Sequence, residues 1–298
     1  LALLGLATGL GAHLLVGGEY LALPEVSALR LAELAALTVT AGMIGFTLER
    51  RHWWASLAFS LLAGAVAAGV VYWNGTPGPG NAGDGWRTFS LFLALAIAAP
   101  LFQAARDADP DRDGARFPYA SVHDHAWINV VLWCACWVFV GIAFALVMLL
   151  SELFHLIRIE VLRDLLREQW FYWSLGGLAF GGALGMLREL DTVVRLLQRV
   201  VATVLAVLAP VLGAGLLLFL LALPFTGLDA LWDALIATTP LLLACVIGSL
   251  ILANAVIGNA PEHESRFVLL RWGAMALALV MLPLAVLAAI ATGLRIGQ

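Results

Sequence analysis

Residues 126–150, AWINVVLWCACWVFVGIAFALVMLL, run for 25 positions without one charged side chain. As a helix this stretch is about 37 Å long, more than the roughly 30 Å of hydrocarbon that a bilayer presents. No water-soluble fold needs a continuous apolar rod of that length. The rest of the chain agrees: of 298 residues, 62% are hydrophobic and 12% are charged. A soluble domain has about a quarter of its residues charged. Too little polar surface is left to cover a water-facing globule, so the bilayer is the expected solvent.

Windows of about 20 apolar residues place nine spans, near 1–17, 31–48, 53–73, 87–103, 126–150, 170–187, 200–223, 232–256 and 268–292. The expected fold is all-α, a polytopic transmembrane bundle forming a single domain over 1–298, with no soluble domain. The chain starts inside an apolar run, and residues 1–17 lack the basic region of a signal peptide. It reads as a fragment of a longer chain. All sixteen basic residues are arginine, a composition typical of GC-rich bacteria. The bacterial inner membrane is therefore the expected location.

Arginines orient the spans, because basic loops stay on the cytoplasmic side. With residue 1 inside, ten arginines fall inside: 50, 51, 106, 112, 116, 188, 195, 199, 266 and 271. Six fall outside: 30, 87, 158, 163, 167 and 295. Trp53, Trp54, Trp73, Trp86, Trp127, Trp170, Trp173, Trp232 and Trp272 sit at span ends, where indoles anchor at headgroups. Trp133 and Trp137 lie deeper.

Segment 152–169 departs from this pattern. Glu160, Arg163, Asp164, Arg167 and Glu168 recur on one face, with Ile157, Val161, Leu162, Leu165 and Leu166 on the other. An amphipathic helix lying along the membrane surface is expected, as a connector or a protein-partner surface. Membrane lipids are the other expected partner. The net charge of −4 is spread thinly, and nucleic acid is not expected to bind.

Helices associate in lipid by close packing of small residues. Gly177, Gly181 and Gly185 line one face at four-residue steps, with Gly176 widening the groove. Gly5 with Gly9, and Gly64 with Ala68, repeat the pattern more weakly. Pro210, Pro240 and Pro283 interrupt the last three spans and are expected to kink them.

The densest chemistry is PYASVHDHAWINVVLWCACW, residues 118–137. His123 and His125 are two apart, about 200° around a helix, and Cys134 and Cys136 repeat that spacing. Neither pair converges on one ion, so no metal site and no cofactor is expected. The Asp-rich loop 104–118 lacks the frame of a calcium loop. Ser121 and Asp124 instead read as a capping box that starts the helix.

His125 and Asn129 share a face, and Asn129 lies inside an apolar span, where an amide needs a partner. Gln103 and Asn254 end or line spans at the same predicted depth. A shared polar, ligand-binding pocket of His125, Asn129, Gln103 and Asn254 is one reading; simple helix-to-helix bonding is the other. No span carries an acidic or basic residue near its middle, as ion-coupled transporters usually do. No nucleophile–base pair or phosphate loop is visible, and no catalytic residue is expected.

From HDHAWINVVLWCACWVFVGIAFALVMLLSELFHLI to LRIGQ the chain resembles a bacterial membrane family catalogued as domain of unknown function 4153. The resemblance rests on His125 and Asn129 opening the fifth span, on the run into LLSELFHLIRIE, and on Arg295–Gln298. It implies a fold, a location and a chain that continues beyond this end, with no activity. The function expected is transport of a small molecule or lipid, or a subunit of such a system. The alternative is a membrane scaffold or sensor.

Overall fold

The structure is a computed structural model. It describes residues 1–16, 27–75, 82–108, 117–156, 160–226, 235–258 and 267–296. Among them every regular element is a helix. The helices are α1 (Ala2–Val16), α2 (Ala28–Thr47), α3 (Trp53–Asn74), α4 (Ala82–Asp107) and α5 (Tyr119–Leu156). They continue as α6 (Val161–Arg167), α7 (Gln169–Glu189), α8 (Asp191–Thr226), α9 (Leu235–Ile257) and α10 (Val268–Ile296). Six, namely α2, α3, α4, α5, α8 and α10, contain stretches long and apolar enough to cross a membrane. The described apolar parts of α1 and α9 are shorter. Helix α7 has 21 residues, but five are glycine and its ends are polar. Glycine contributes almost nothing to hydropathy, so α7 is long enough but less apolar than those six.

The helices group into two compact units, Leu1–Arg195 and Leu196–Gln298. In the first, α1 lies against α7, and α2 against α3. The glycine stripes of α1 and α7 face each other. A Cβ on Gly181 would stand 2.6 Å from the Leu1 carbonyl oxygen, and one on Gly9 would stand 2.8 Å from the Trp173 carbonyl carbon. Only glycine lets two backbones come that close. Early residues of α1 meet late residues of α7, so the two run antiparallel. A Cβ on Gly185 would meet the Leu1 side chain at an ordinary 3.4 Å. Gly176 does not widen this groove; it faces α5, where an added Cβ would lie 3.8 Å from the Phe144 ring.

On α3 the buried face is Ser56, Ser60, Ala63, Gly64 and Ala67. Gly64 admits Thr40 and the Ala36 carbonyl of α2. Its small neighbour on the buried face is Ala67 rather than Ala68, one residue around the helix.

In the second unit, α8, α9 and α10 share a core of Ala209, Leu216, Leu242, Val256, Leu277, Val280 and Leu284. Gly273 of α10 receives Pro210 of α8: a Cβ there would lie 2.7 Å from the proline nitrogen. The Pro210 ring thus replaces a lost backbone bond with a packing contact. Pro283 lies inside α10, and both helices continue past their prolines. The side chain of Pro240 lies outside the described residues.

Two local expectations change. The helix assigned to 152–169 is shorter, because residues 152–156 prolong α5 and the helix proper is Val161–Arg167. Leu153 and Phe154 are apolar and helix-compatible, so nothing stops α5 at the bilayer edge. Residues 157–159 lie outside the described residues. Near the end of α5, His155 Nε2 lies 3.4 Å from Arg163 Nη1 and its Nδ1 lies 3.6 Å from Glu160. The capping box is also displaced. Helix α5 begins at Tyr119, with Val122 N–H donating to the Pro118 carbonyl at 3.1 Å. Ser121 is already inside the first turn and does not cap it.

Candidate functional site

The α2 C-terminus needs help that its own sequence lacks. A helix leaves its last four carbonyls without intrahelical partners, and α2 has no basic residue in its final turn. Only the Ile44 carbonyl is met locally, by the Leu48 N–H at 2.9 Å. Other helices supply the rest. Arg188 of α7 donates through Nη1 to the Gly45 carbonyl at 2.7 Å and through Nη2 to the Leu48 carbonyl at 2.6 Å. Gln103 of α4 donates to the Phe46 carbonyl at 3.0 Å. The Thr47 carbonyl accepts from Arg106 of α4 and, at 2.8 Å, from Ser56 Oγ of α3.

Two cations therefore sit at the negative end of the α2 dipole, where a cation stabilises a helix by up to about 2 kcal/mol in partly buried geometry. Arg106 is nearly buried and its charge is matched. It forms two hydrogen bonds to Asp107, at 2.6 and 3.0 Å, and an ion pair with Glu49. It also donates to Ser56 Oγ at 3.0 Å, and its guanidinium lies 5.8 Å from the Phe102 ring centroid. Thr47 Oγ1 donates back to Met43, and Ser60 Oγ to Ser56, so these buried hydroxyls are satisfied within their own helices.

Three of the four residues expected to form a polar pocket meet here. Asn129 Nδ2 donates to Gln103 Oε1 at 2.7 Å, and Gln103 passes the connection to Phe46. His125 Nε2 stands 3.5 Å from Asp107 Oδ2, a distance that suits an electrostatic contact better than a strong direct bond. Asn254 lies on α9 in the second unit, where its carbonyl accepts from Gly258.

The two histidines diverge, as their spacing requires. His123 accepts from Trp127 Nε1 at 3.1 Å and lies 5.8 Å from the Tyr119 ring centroid. Its side chain is largely covered, because α5 starts a turn before the Ser121 cap would have started it. Beyond Asn129, Trp133 and Trp137 turn to Phe92 of α4 and Phe180 of α7. Both indoles remain substantially exposed at the protein surface.

The residues that sequence reasoning missed are Arg106, Arg188, Glu49 and the Thr47–Ser56–Ser60 set. Both arginines count toward the cytoplasmic tally without revealing a partner. The available signal was the bare end of α2: no basic final turn and no glycine following it.

The site also reports helix direction. The C-terminal ends of α2, α4 and α7 meet the N-terminal turns of α3 and α5. Since α1 opposes α7, the order α1, α2, α3, α4, α5, α7 alternates in direction.

Comparison of the chain with family models, curated proteins and solved structures gave no match.

Proposed function

We propose that this chain is a membrane-embedded scaffold or sensor whose first unit is a fastened bundle. The observation that carries this reading is the closure of the polar cluster. The Asn129 amide is engaged by Gln103, the Gln103 amide by Phe46, and the carbonyls at the end of α2 by Arg106, Arg188, Gln103 and Ser56. A substrate site keeps donors and acceptors for its substrate; this one spends them on neighbouring helices. We place the chain in the bacterial inner membrane with nine crossings, α1, α7 and α9 joining the six long apolar helices. The alternating directions of α1, α2, α3, α4, α5 and α7 and the arginine distribution support this reading, in which the α2 end faces the cytoplasm. Membership of the family catalogued as domain of unknown function 4153 belongs to the same proposal, as does partner binding around 152–169.

The test is access of water to the cluster. Single cysteines at Asn129 and Arg51 would be made in a background lacking Cys134, Cys136 and Cys245. In sealed inverted vesicles, a membrane-impermeant thiol reagent should modify position 51 and leave position 129 unmodified. Rapid modification at 129 would mean that an aqueous path reaches it, and the transport reading would replace this one. That reading draws on the second unit. There the Ser249 hydroxyl is fully buried without a partner among the described residues, and Pro283 removes a backbone bond from α10. Solute counterflow in proteoliposomes would reveal it.

A further inference from the structure

The turn between α2 and α3 reads LERRHWW, residues 48–54. From Glu49 to Trp54 every residue is exposed. The turn carries one carboxylate and two guanidinium groups, and the carboxylate is engaged elsewhere: Glu49 is paired with Arg106. Among the described residues, Arg50 and Arg51 have no carboxylate partner. The turn is held in place from below, because Arg188 binds the Leu48 carbonyl and Arg106 the Thr47 carbonyl. Immediately after it, Trp53 and Trp54 stack with ring centroids 3.7 Å apart, and both are well exposed.

From this juxtaposition we propose that residues 50–54 form a binding site for the headgroup of an anionic phospholipid. Each part matches one part of such a lipid. A guanidinium binds phosphate through paired N–H donors. Indoles settle at the depth of the glycerol and ester groups, with the ring half-buried and the N–H hydrated. Two arginines without a carboxylate partner among the described residues, beside two surface indoles at one end of a membrane bundle, present these groups in the order in which a lipid presents its phosphate and its esters. The net charge of the pair favours an anionic headgroup over a zwitterionic one, because the choline of the latter brings a cation toward Arg50 and Arg51. The site is independent of whether the bundle is a scaffold or a transporter.

The experiment uses the full chain in detergent mixed with equal amounts of phosphatidylglycerol and phosphatidylcholine, with retained lipid counted by native mass spectrometry. The wild-type chain should retain phosphatidylglycerol preferentially. An arginine near an anionic surface contributes about fivefold in binding, so the double variant Arg50→Gln/Arg51→Gln should lose at least fivefold in that preference. Arg30→Gln, an exposed arginine at the opposite end of α2, should leave it unchanged. Trp53→Leu/Trp54→Leu should reduce retention of both lipids together. Inorganic phosphate at 10-fold excess over lipid should not displace phosphatidylglycerol; displacement would assign the site to free phosphate and overturn the lipid proposal. Unchanged selectivity in the double arginine variant, with wild-type thermal stability, would also overturn it.

Discussion

Replacing Gly181 tests the contact that brings α1 and α7 together. In the native structure the position a Cβ would take is 2.6 Å from the Leu1 carbonyl oxygen and 3.1 Å from the Gly5 Cα. Ordinary carbon contacts begin near 3.4 Å, so even alanine forces α1 outward by nearly 1 Å. A gap of that size forfeits a quarter to a half of each dispersion well along the contact. Overpacking of this kind costs about 1–3 kcal/mol. Leucine adds three more carbons and cannot be accommodated without separating the helices, so its cost lies at or above the upper figure. The control is built into the same helix. Among the described residues, a Cβ on Gly182 would meet only the Ala2 methyl at 3.9 Å, and one on Gly141 of α5 would meet nothing within 4 Å. Thermal unfolding in detergent, followed by tryptophan fluorescence, reads the series. At about 2–4 °C per kcal/mol for a unit of this size, Gly181→Ala should lower Tm by roughly 2–12 °C and Gly181→Leu by more. Gly182→Ala and Gly141→Ala should stay within about 2 °C of wild type or rise slightly, since alanine favours the helix. A wild-type Tm for Gly181→Leu would show that this face does not hold α1, and the packing account of the first unit would fail.

Arg188→Met should destabilise the chain by about 2–4 kcal/mol, because two charge-assisted bonds to α2 carbonyls are lost at once; a chemical-denaturation midpoint equal to wild type would contradict the cap. Asn129→Leu should cost about 1 kcal/mol, and Gln103→Leu more, since Gln103 also holds the Phe46 carbonyl. The double variant should cost less than the sum of the two, and strict additivity would mean that the amides do not interact. His123→Ala should lower stability by about 1 kcal/mol through loss of the Trp127 bond, and unchanged stability would show that this bond contributes nothing. Cysteines introduced at Gly80 and Arg112 should label from opposite sides of the membrane, with Arg112 cytoplasmic; labelling of both from one side would refute the orientation.

Linear order was enough to determine the solvent, the secondary structure and the periodic faces of this protein. A 25-residue apolar run can satisfy its backbone in lipid only as a helix, and glycines four apart must share a face whatever lies opposite. For the same reason the divergence of His123 and His125 was legible from their spacing. The pairing of His125, Asn129 and Gln103 at one depth was partly legible, because an amide in an apolar span demands a partner. What the chain order could not state was which helix fills which groove. Gly177 and Gly181 meet Gly5 across more than 170 positions, and two antiparallel glycine faces fit equally well on several candidates until the rest of the bundle is packed. The tertiary structure likewise decided that Arg106 and Arg188 fasten the end of α2 instead of reaching for lipid phosphates. An arginine side chain is long enough for either, and only the approach of α4 and α7 to the bare carbonyls of α2 makes the inward choice the more stable one.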